Sequence, residues 1–383
     1  METEQPVLKN ARGEQFIGSE ACQQCHKKIY DSFQFTAHLH TSEPVTEKSV
    51  HGSFVPGKNI VVFSSDKLVK MEKRNNQLFQ VEYDKGVETL AKRMDIVTGS
   101  GRKGQTYINQ DGPHLFQLPI AYFTKANKWS NSPGYPDRIN FSRPITARCL
   151  ECHSTFAKTL SEPFVEPAEM DAPHIIFGVN CEKCHGPGLN HVLFQRKNPG
   201  LKTSRFIVNP AKLTREQNLE FCSSCHGGGL KKIKPAFEFK IGDKLSDYYV
   251  VDDSRPDPQN IDVHGNQFAL LRSSKCFIKT NTLACNSCHS PHQNEAGNLD
   301  LFSSRCLNCH GDFPNQIHCK LTAGIGTRLK EDCISCHMPL KESSIISVYL
   351  AKNKSPTAAT VRSHYIALYP ELSKKILSYL KSR

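Results

Sequence analysis

Apolar positions are thinly and unevenly spread along this chain. Between residues 50 and 125 they gather in short runs, Asn59 to Phe63, Leu78 to Tyr83 and Gln105 to Leu118. These runs are rich in the β-branched and aromatic side chains that suit a pleated, half-buried surface. The last of them turns at Asp111-Gly112-Pro113, a hairpin signal, so the stretch reads as a small β-rich insertion of about five strands. A Pro/Gly/Asn-rich loop from Trp129 to Pro144 follows it. From residue 145 onward the pattern is one of short helices and loops broken by Gly and Pro. Three stretches read as helical. Ile29 to Phe35 is amphipathic. Thr214 to Phe221 starts with Thr214 as N-cap and Glu216 and Gln217 close behind, a helix-start signature. Pro370 to Leu380 places Leu372, Ile376, Leu377 and Leu380 on one stripe of a basic helix, which reads as a surface helix packed on a core.

Composition sharpens this picture. The chain has 383 residues, of which only 38% are apolar, with 22 Pro and 23 Gly. No run of eighteen apolar residues is present, so no segment reads as a membrane-spanning helix. The large apolar side chains are too few for the length, and something else must fill the interior. The net charge is +12.

The 16 cysteines and 17 histidines supply the candidate filling. Fourteen of the cysteines fall into seven copies of Cys-x-x-Cys-His: Cys22, Cys25 and His26; Cys149, Cys152 and His153; Cys181, Cys184 and His185; Cys222, Cys225 and His226; Cys285, Cys288 and His289; Cys306, Cys309 and His310; Cys333, Cys336 and His337. At this composition on the order of 0.03 copies would arise by chance, so the pattern points to covalent attachment of seven c-type haems. Two thiols three positions apart on a helical turn reach the two vinyl groups of one porphyrin, and the adjacent histidine meets the iron as proximal ligand. Zinc would need four ligands per ion and gives no role to a histidine after every second cysteine. Disulfides inside each motif would close two-residue loops that constrain almost nothing. Cys276 and Cys319 are left over, either as a disulfide or as two unpaired thiols.

Ten histidines remain after the proximal set. His292 lies three residues beyond His289 and His191 six beyond His185. Such short tethers cannot wrap a macrocycle, so each would ligate a neighbouring haem. His318, His364 and His264 fit the same logic, His38 follows the helix of the first motif, and His174 precedes the third. These seven, His38, His174, His191, His264, His292, His318 and His364, are the expected distal ligands. His40, His51 and His114 read as solvated, and Met170 alone of the five methionines could compete. Bis-histidine ligation implies low reduction potentials.

The ordering of these elements resembles the multihaem c-type cytochromes that include hydroxylamine oxidoreductase, its tetrahaem electron carrier and pentahaem nitrite reductase. It is most similar to the tetrahaem-carrier-like branch. The likeness rests on Gly18 to His26 with Thr36-Ala-His38, on Ser132-Pro-Gly-Tyr135 ahead of Cys149, on Cys181 to Gly188 with His191, on Cys285 to His292 and on Cys333 to Pro339. It implies haems in van der Waals contact and His38, His191, His292, His318 and His364 as distal ligands. The implied fold is a mainly α and irregular multihaem cytochrome with short helices around stacked haems and a small β-rich insertion after the first motif. Its expected divisions are an N-terminal haem segment (1–48), a β-rich insertion and loop (49–144) and a six-haem core with a C-terminal ligand tail (145–383). The sequence departs from pentahaem nitrite reductases in having no Cys-x-x-Cys-Lys motif, and no tyrosine matches the one that hydroxylamine oxidoreductase cross-links to its catalytic haem.

The function expected from these features is electron transfer through low-potential, mostly bis-histidine haems, more an electron carrier than a catalytic reductase. The competing expectation is an oxidoreductase acting on a small nitrogen or sulfur compound at one haem with an open position; no catalytic residue is identifiable. Expected partners are other redox proteins or quinol-oxidising membrane complexes, and no nucleic acid. Met1 to Gly18 is polar and lacks the apolar core of a secretory signal, yet haem attachment implies export to the periplasm or beyond, so the chain is expected to be a mature form or to have a misplaced start. Seven haems, each with two propionates, would bring the net charge to about +5 oxidised and about −2 reduced. Part of the basic excess then answers internal carboxylates.

Overall fold

The structure is a computed structural model describing residues 7–135, 138–252, 254, 256–311, 319, 331–350 and 356–381. It divides into two compact units. One comprises Met1–Lys212, Lys231–Val250 and Ser344–Ala359, and the other Leu213–Leu230, Val251–Ser343 and Thr360–Arg383.

In the first unit, helix α1 (Ser19–Phe33) precedes a large β region. Strands β2 (Ile60–Val62), β3 (Lys67–Arg74), β4 (Gln77–Asp84) and β5 (Val87–Arg93) form an antiparallel sheet in that order. The β3–β4 hairpin turns through Asn75 and Asn76 at φ 48° and 60°. Asparagine tolerates this left-handed geometry, which matches the twist of the flanking strands. A second sheet runs β1 (Ser42–Pro44), β6 (Ile96–Thr98), β7 (Gly104–Asp111), β8 (His114–Gln117) and β11 (Arg143–Pro144); β9 (Ile120–Phe123) pairs with β7 and β10 (Lys128–Asn131) with β9. Val69, Met71, Leu78, Tyr107, Leu118, Ile120 and Trp129 pack between them as a dense apolar core. Buried Gln80 exchanges two hydrogen bonds with the backbone of Ile120 (2.7 and 2.9 Å), imitating a ladder rung. Helices α2 (Ala147–His153), α3 (Cys181–His185) and α4 (Leu189–Lys197), with the short pair β12 (Ser154–Phe156) and β13 (Ile176–Phe177), complete the main elements of this unit.

The second unit holds helices α5 (Arg215–His226), α6 (Gln267–Arg272), α7 (Lys275–Lys279), α8 (Leu299–His310), α9 (Cys333–His337) and α10 (Pro370–Lys381). A further strand pair, β14 (Leu340–Val348) with β15 (Thr357–Arg362), is shared out between the two units. The apolar cluster of the second unit is small: Ile261, Val263 and Leu270, with Ala269, Val361 and Tyr365 against them.

The expectation of a mainly α fold is wrong. Helix accounts for 30% of the structure and strand for 23%, in several antiparallel sheets. Two physical reasons account for the difference. Three of the seven motifs sit on single turns, Cys181–His185, Cys285–Ser287 and Cys333–His337, and the helix of the second, Ala147–His153, is only seven residues long, so helical length stays low. The β region also holds nine strands between Ile60 and Asn131 rather than about five. Of the strands missed, Lys67–Arg74 and Val87–Arg93 are half-solvated and rich in Lys, Arg and Glu, which hid their alternation, while Ile96–Thr98, Ile120–Phe123 and Lys128–Asn131 are only three or four residues long, too short to show a period. The runs that were read as strands are strands, and the Asp111-Gly112-Pro113 turn joins β7 to β8.

Candidate functional site

Each Cys-x-x-Cys-His motif lies on a helical turn. Five of the histidines, His153, His185, His226, His310 and His337, are the last residues of α2, α3, α5, α8 and α9. His26 interrupts α1 with φ −115° and ψ 35°, and His289 follows the single 3₁₀ turn Cys285–Ser287. Side-chain caps start several of these turns. Asn180 accepts from Glu182 N (3.0 Å), Asn298 from Leu301 N (3.0 Å) and Asp332 from Ser335 N (2.9 Å). Thr214 and Gln217 form a reciprocal capping box, satisfying two donors that the helix start leaves open. The first unit carries the first three motifs and the second unit the last four.

Three of the motif histidines are held in a way that suits metal ligation. His185 Nδ1 lies 2.9 Å from Val208 O, His337 Nδ1 2.9 Å from Ala367 O and His153 Nδ1 3.3 Å from Thr41 O. A carbonyl oxygen can only accept, so these bonds hold the proton on Nδ1 and leave the lone pair on Nε2, the tautomer that ligates metal. His191, within α4, is held the same way by Arg205 O (2.8 Å), and His174 Nδ1 by Asp171 (2.7 Å). The donor set therefore fits haem c. Among the described residues, no three His, Cys, Asp or Glu side chains converge to hold a metal ion directly.

Two rings expected on opposite sides of irons meet in the second unit. His289 and His364 have ring centroids 6.1 Å apart at an interplanar angle of 31°. Burial first, and the neighbouring His289 second, pull His364 down to about 4, so its ring is neutral at physiological pH. His38 precedes the 3₁₀ turn Leu39–Thr41, and its carbonyl accepts from Val179 N (2.8 Å). His264 sits in a loop with its backbone N–H on Asp262 (2.7 Å). His292 lies in the turn after His289, and His318 is outside the described residues. His40, read as solvated, is half-buried with Nε2 2.8 Å from Gln34 O. Met170 is fully buried in an apolar cluster with Leu150, Ala168 and Ile175. No disulfide is found among the described residues; Cys276 is half-buried and Cys319 exposed.

Thiols of different motifs approach one another in a regular way. Cys22 hydrogen-bonds Cys181, Cys222 hydrogen-bonds Cys285 and Cys306 hydrogen-bonds Cys333, each the first cysteine of its motif. Within the first and third of these contacts the shared proton raises one thiol and lowers the other, Cys181 and Cys333 each to about 6.

Acidic side chains organise the motifs, and sequence reasoning missed them. Glu182, inside the third motif, is buried and accepts from the backbone N–H groups of Ile17 (3.0 Å), Gly18 (2.9 Å) and Gly188 (2.8 Å). It thereby ties the third motif to the helix of the first and to the start of α4, which bears His191. Burial outweighs these bonds and raises its pKa. Glu295 receives Arg305 through both terminal nitrogens (2.8 and 2.5 Å), and Arg305 also donates to Cys288 O (2.6 Å), linking the fifth and sixth motifs.

Glu151 lies between the two cysteines of the second motif, one position further along than Glu182 in the third, and is 3% exposed. It accepts from Lys232 Nζ (2.7 Å), Arg148 (3.0 Å), the Tyr249 hydroxyl (2.9 Å) and Phe237 N (2.7 Å). Burial alone would raise its pKa, but Lys232, Lys183 and Arg148 outweigh it and hold the carboxyl below its ordinary value. A glutamate between the two cysteines was the visible signal; its burial was not.

Comparison with known proteins follows this geometry. The family model for cytochrome c554 and c-prime matches residues 21–56 and 125–186, which bracket most of the β region and include the first three motifs. No curated protein sequence matches the chain. Among solved structures the fold is similar to that of the outer cell wall cytochrome OcwA, at a TM-score of 0.55 and 17% identity over 94% of this chain and 81% of that one. These likenesses support a multihaem c-type cytochrome, and the matched family implies covalently bound haem c. No described helix is long and apolar enough to cross a membrane.

Proposed function

We propose that this chain holds seven haem c groups, one on each Cys-x-x-Cys-His motif, and passes electrons along them. The iron, when bound, supplies a one-electron couple; the chain supplies covalent attachment, axial ligands and enclosure. The fourteen motif cysteines attach the macrocycles. The seven motif histidines serve as proximal ligands, and the distal ligands come from His38, His174, His191, His264, His292, His318 and His364.

The facing pair of His289 and His364 carries this reading. Two imidazoles held by one metal, with metal–nitrogen bonds of about 2.0 Å and about 1.1 Å from each ligating nitrogen to its ring centre, would have their centres ~6.2 Å apart. The observed separation is 6.1 Å. Residues that fill both axial positions leave no place for a substrate, which favours conduction over catalysis. The cytochrome descriptions of the matched family and of the structural neighbour support the same reading. We place the protein outside the cytoplasm, where thioether attachment takes place, exchanging electrons with other redox proteins or quinol-oxidising membrane complexes.

Intact mass spectrometry combined with electron paramagnetic resonance of the oxidised holoprotein tests the proposal. The expected result is a mass with seven haems and only low-spin ferric signals. Fewer haems would refute the count. A stoichiometric high-spin signal would instead favour an oxidoreductase with one open iron.

A further inference from the structure

The second motif stands in an electrostatic setting unlike that described for any other motif. Arg148, one residue before Cys149, places its guanidinium 3.0 Å from the sulfur of Cys152 and 3.0 Å from Glu151. Lys232, its side chain 8% exposed, reaches the same carboxylate. Its ammonium also lies 3.1 Å from the Tyr249 hydroxyl and 4.2 Å from the centre of that ring, over which Arg148 stacks from 5.2 Å. Lys183, which lies between the cysteines of the third motif, is the third cation acting on Glu151, and it is anchored over the Phe237 ring at 4.9 Å. Three cations thus surround one carboxylate, and one of them touches a haem-attaching sulfur. The contrast is with Arg305, which precedes Cys306 of the sixth motif as Arg148 precedes Cys149 and also reaches Cys288 O of the fifth, and whose charge is cancelled by its two-pronged pairing with Glu295. Charge in a poorly hydrated site is weakly screened, and a fixed positive excess stabilises the reduced, more negative state of a nearby redox centre.

We infer that the cluster of Arg148, Lys183 and Lys232 around Glu151 tunes the haem of the second motif to a higher reduction potential than its neighbours, making it the place where electrons collect. The inference rests on the proposed attachment of haem to Cys149 and Cys152. These are positioning residues, since they act on the iron through the field and through the Cys152 sulfur.

Spectroelectrochemical titration of the holoprotein and three variants tests this. In Lys232→Met one component, with one-seventh of the total haem amplitude, is expected to move to lower potential. Its reduction equilibrium should weaken about tenfold, the scale of one unit charge acting over about 10 Å through protein, or ~59 mV for one electron. Arg148→Gln, at a more exposed position of the same cluster, should move the same component the same way, which guards against a folding defect in the buried Lys232 variant. Lys232→Arg keeps the charge and should leave the component near its wild-type value. The inference is overturned if Met and Arg at position 232 behave alike, or if the component stays in place in both charge-removing variants. A wild-type protein without haem absorbance would overturn the haem assignment as well, so the two failures are told apart.

Discussion

Replacing His364 by alanine should open one iron and leave the others closed. The His289 and His364 rings stand 6.1 Å apart at 31°, close to the ~6.2 Å expected for two imidazoles on one metal. His289 belongs to the fifth motif, so the effect should fall on that haem alone, one-seventh of the total, or ~14%. Electron paramagnetic resonance of oxidised His364→Ala should show a high-spin ferric signal integrating to about one spin per chain. The truncation removes a ring and leaves its space, so added imidazole should bind there and restore the low-spin signal, as small ligands occupy cavities left by large-to-small substitution. His40→Ala is the matched control, because its Nε2 is already engaged by Gln34 O; its spectrum should stay wild-type. The reasoning is refuted if His364→Ala remains wholly low-spin. It is refuted equally if several irons become high-spin together, since that would mean a general loss of structure in place of a lost ligand.

Other outcomes follow from the same structure. A Cβ at Gly52 would overlap the indole of Trp129, so Gly52→Ala should destabilise the β region by about 1–3 kcal/mol, read as a lower urea midpoint and a shift in Trp129 emission. Removing the capping box with Thr214→Ala should cost about 1 kcal/mol, seen as reduced hydrogen-exchange protection in α5. Glu72 is partly buried, which alone would raise its pKa, but hydrogen bonds from Arg74, Tyr83 and Lys70 outweigh burial and hold it below the ordinary carboxylate value. Its stabilising contribution is therefore complete above the unfolded value near pH 4.5 and is lost as pH falls through the lowered folded value. Glu72→Gln should flatten the dependence of the urea midpoint on pH over that acid range, and an unchanged slope would count against the network.

The helical placement of the motifs was legible in the sequence because it is local: two thiols and a histidine within five residues suit one turn, and the motifs lie on such turns. Helix starts were legible for the same reason, as Thr214 with Gln217 shows. What was hidden depends on tertiary packing. Glu151 and Lys232 lie 81 positions apart, and nothing near either announces that both are buried. The pairing of His289 with His364 spans β14 and β15, a strand pair that the short, polar run Leu340–Val348 did not advertise. Strands such as Lys67–Arg74 were lost because only Val69 and Met71 face the core, which is too little alternation to read through so many charges.

The three contacts between first cysteines bear on the order in which the protein can be made. Cys22 with Cys181, Cys222 with Cys285 and Cys306 with Cys333 each bring together thiols that the proposed attachment assigns to different haems. In an oxidising compartment a chain that reached this arrangement too early would be poised to form cross-motif disulfides, because a lowered thiol beside a second one is primed for exchange. Each such bond would consume one attachment point from two motifs at once. Under the proposed attachment, cofactor insertion would have to precede compaction, or a reductant keep pace with folding, and the native arrangement would double as a trap that penalises the wrong sequence of events.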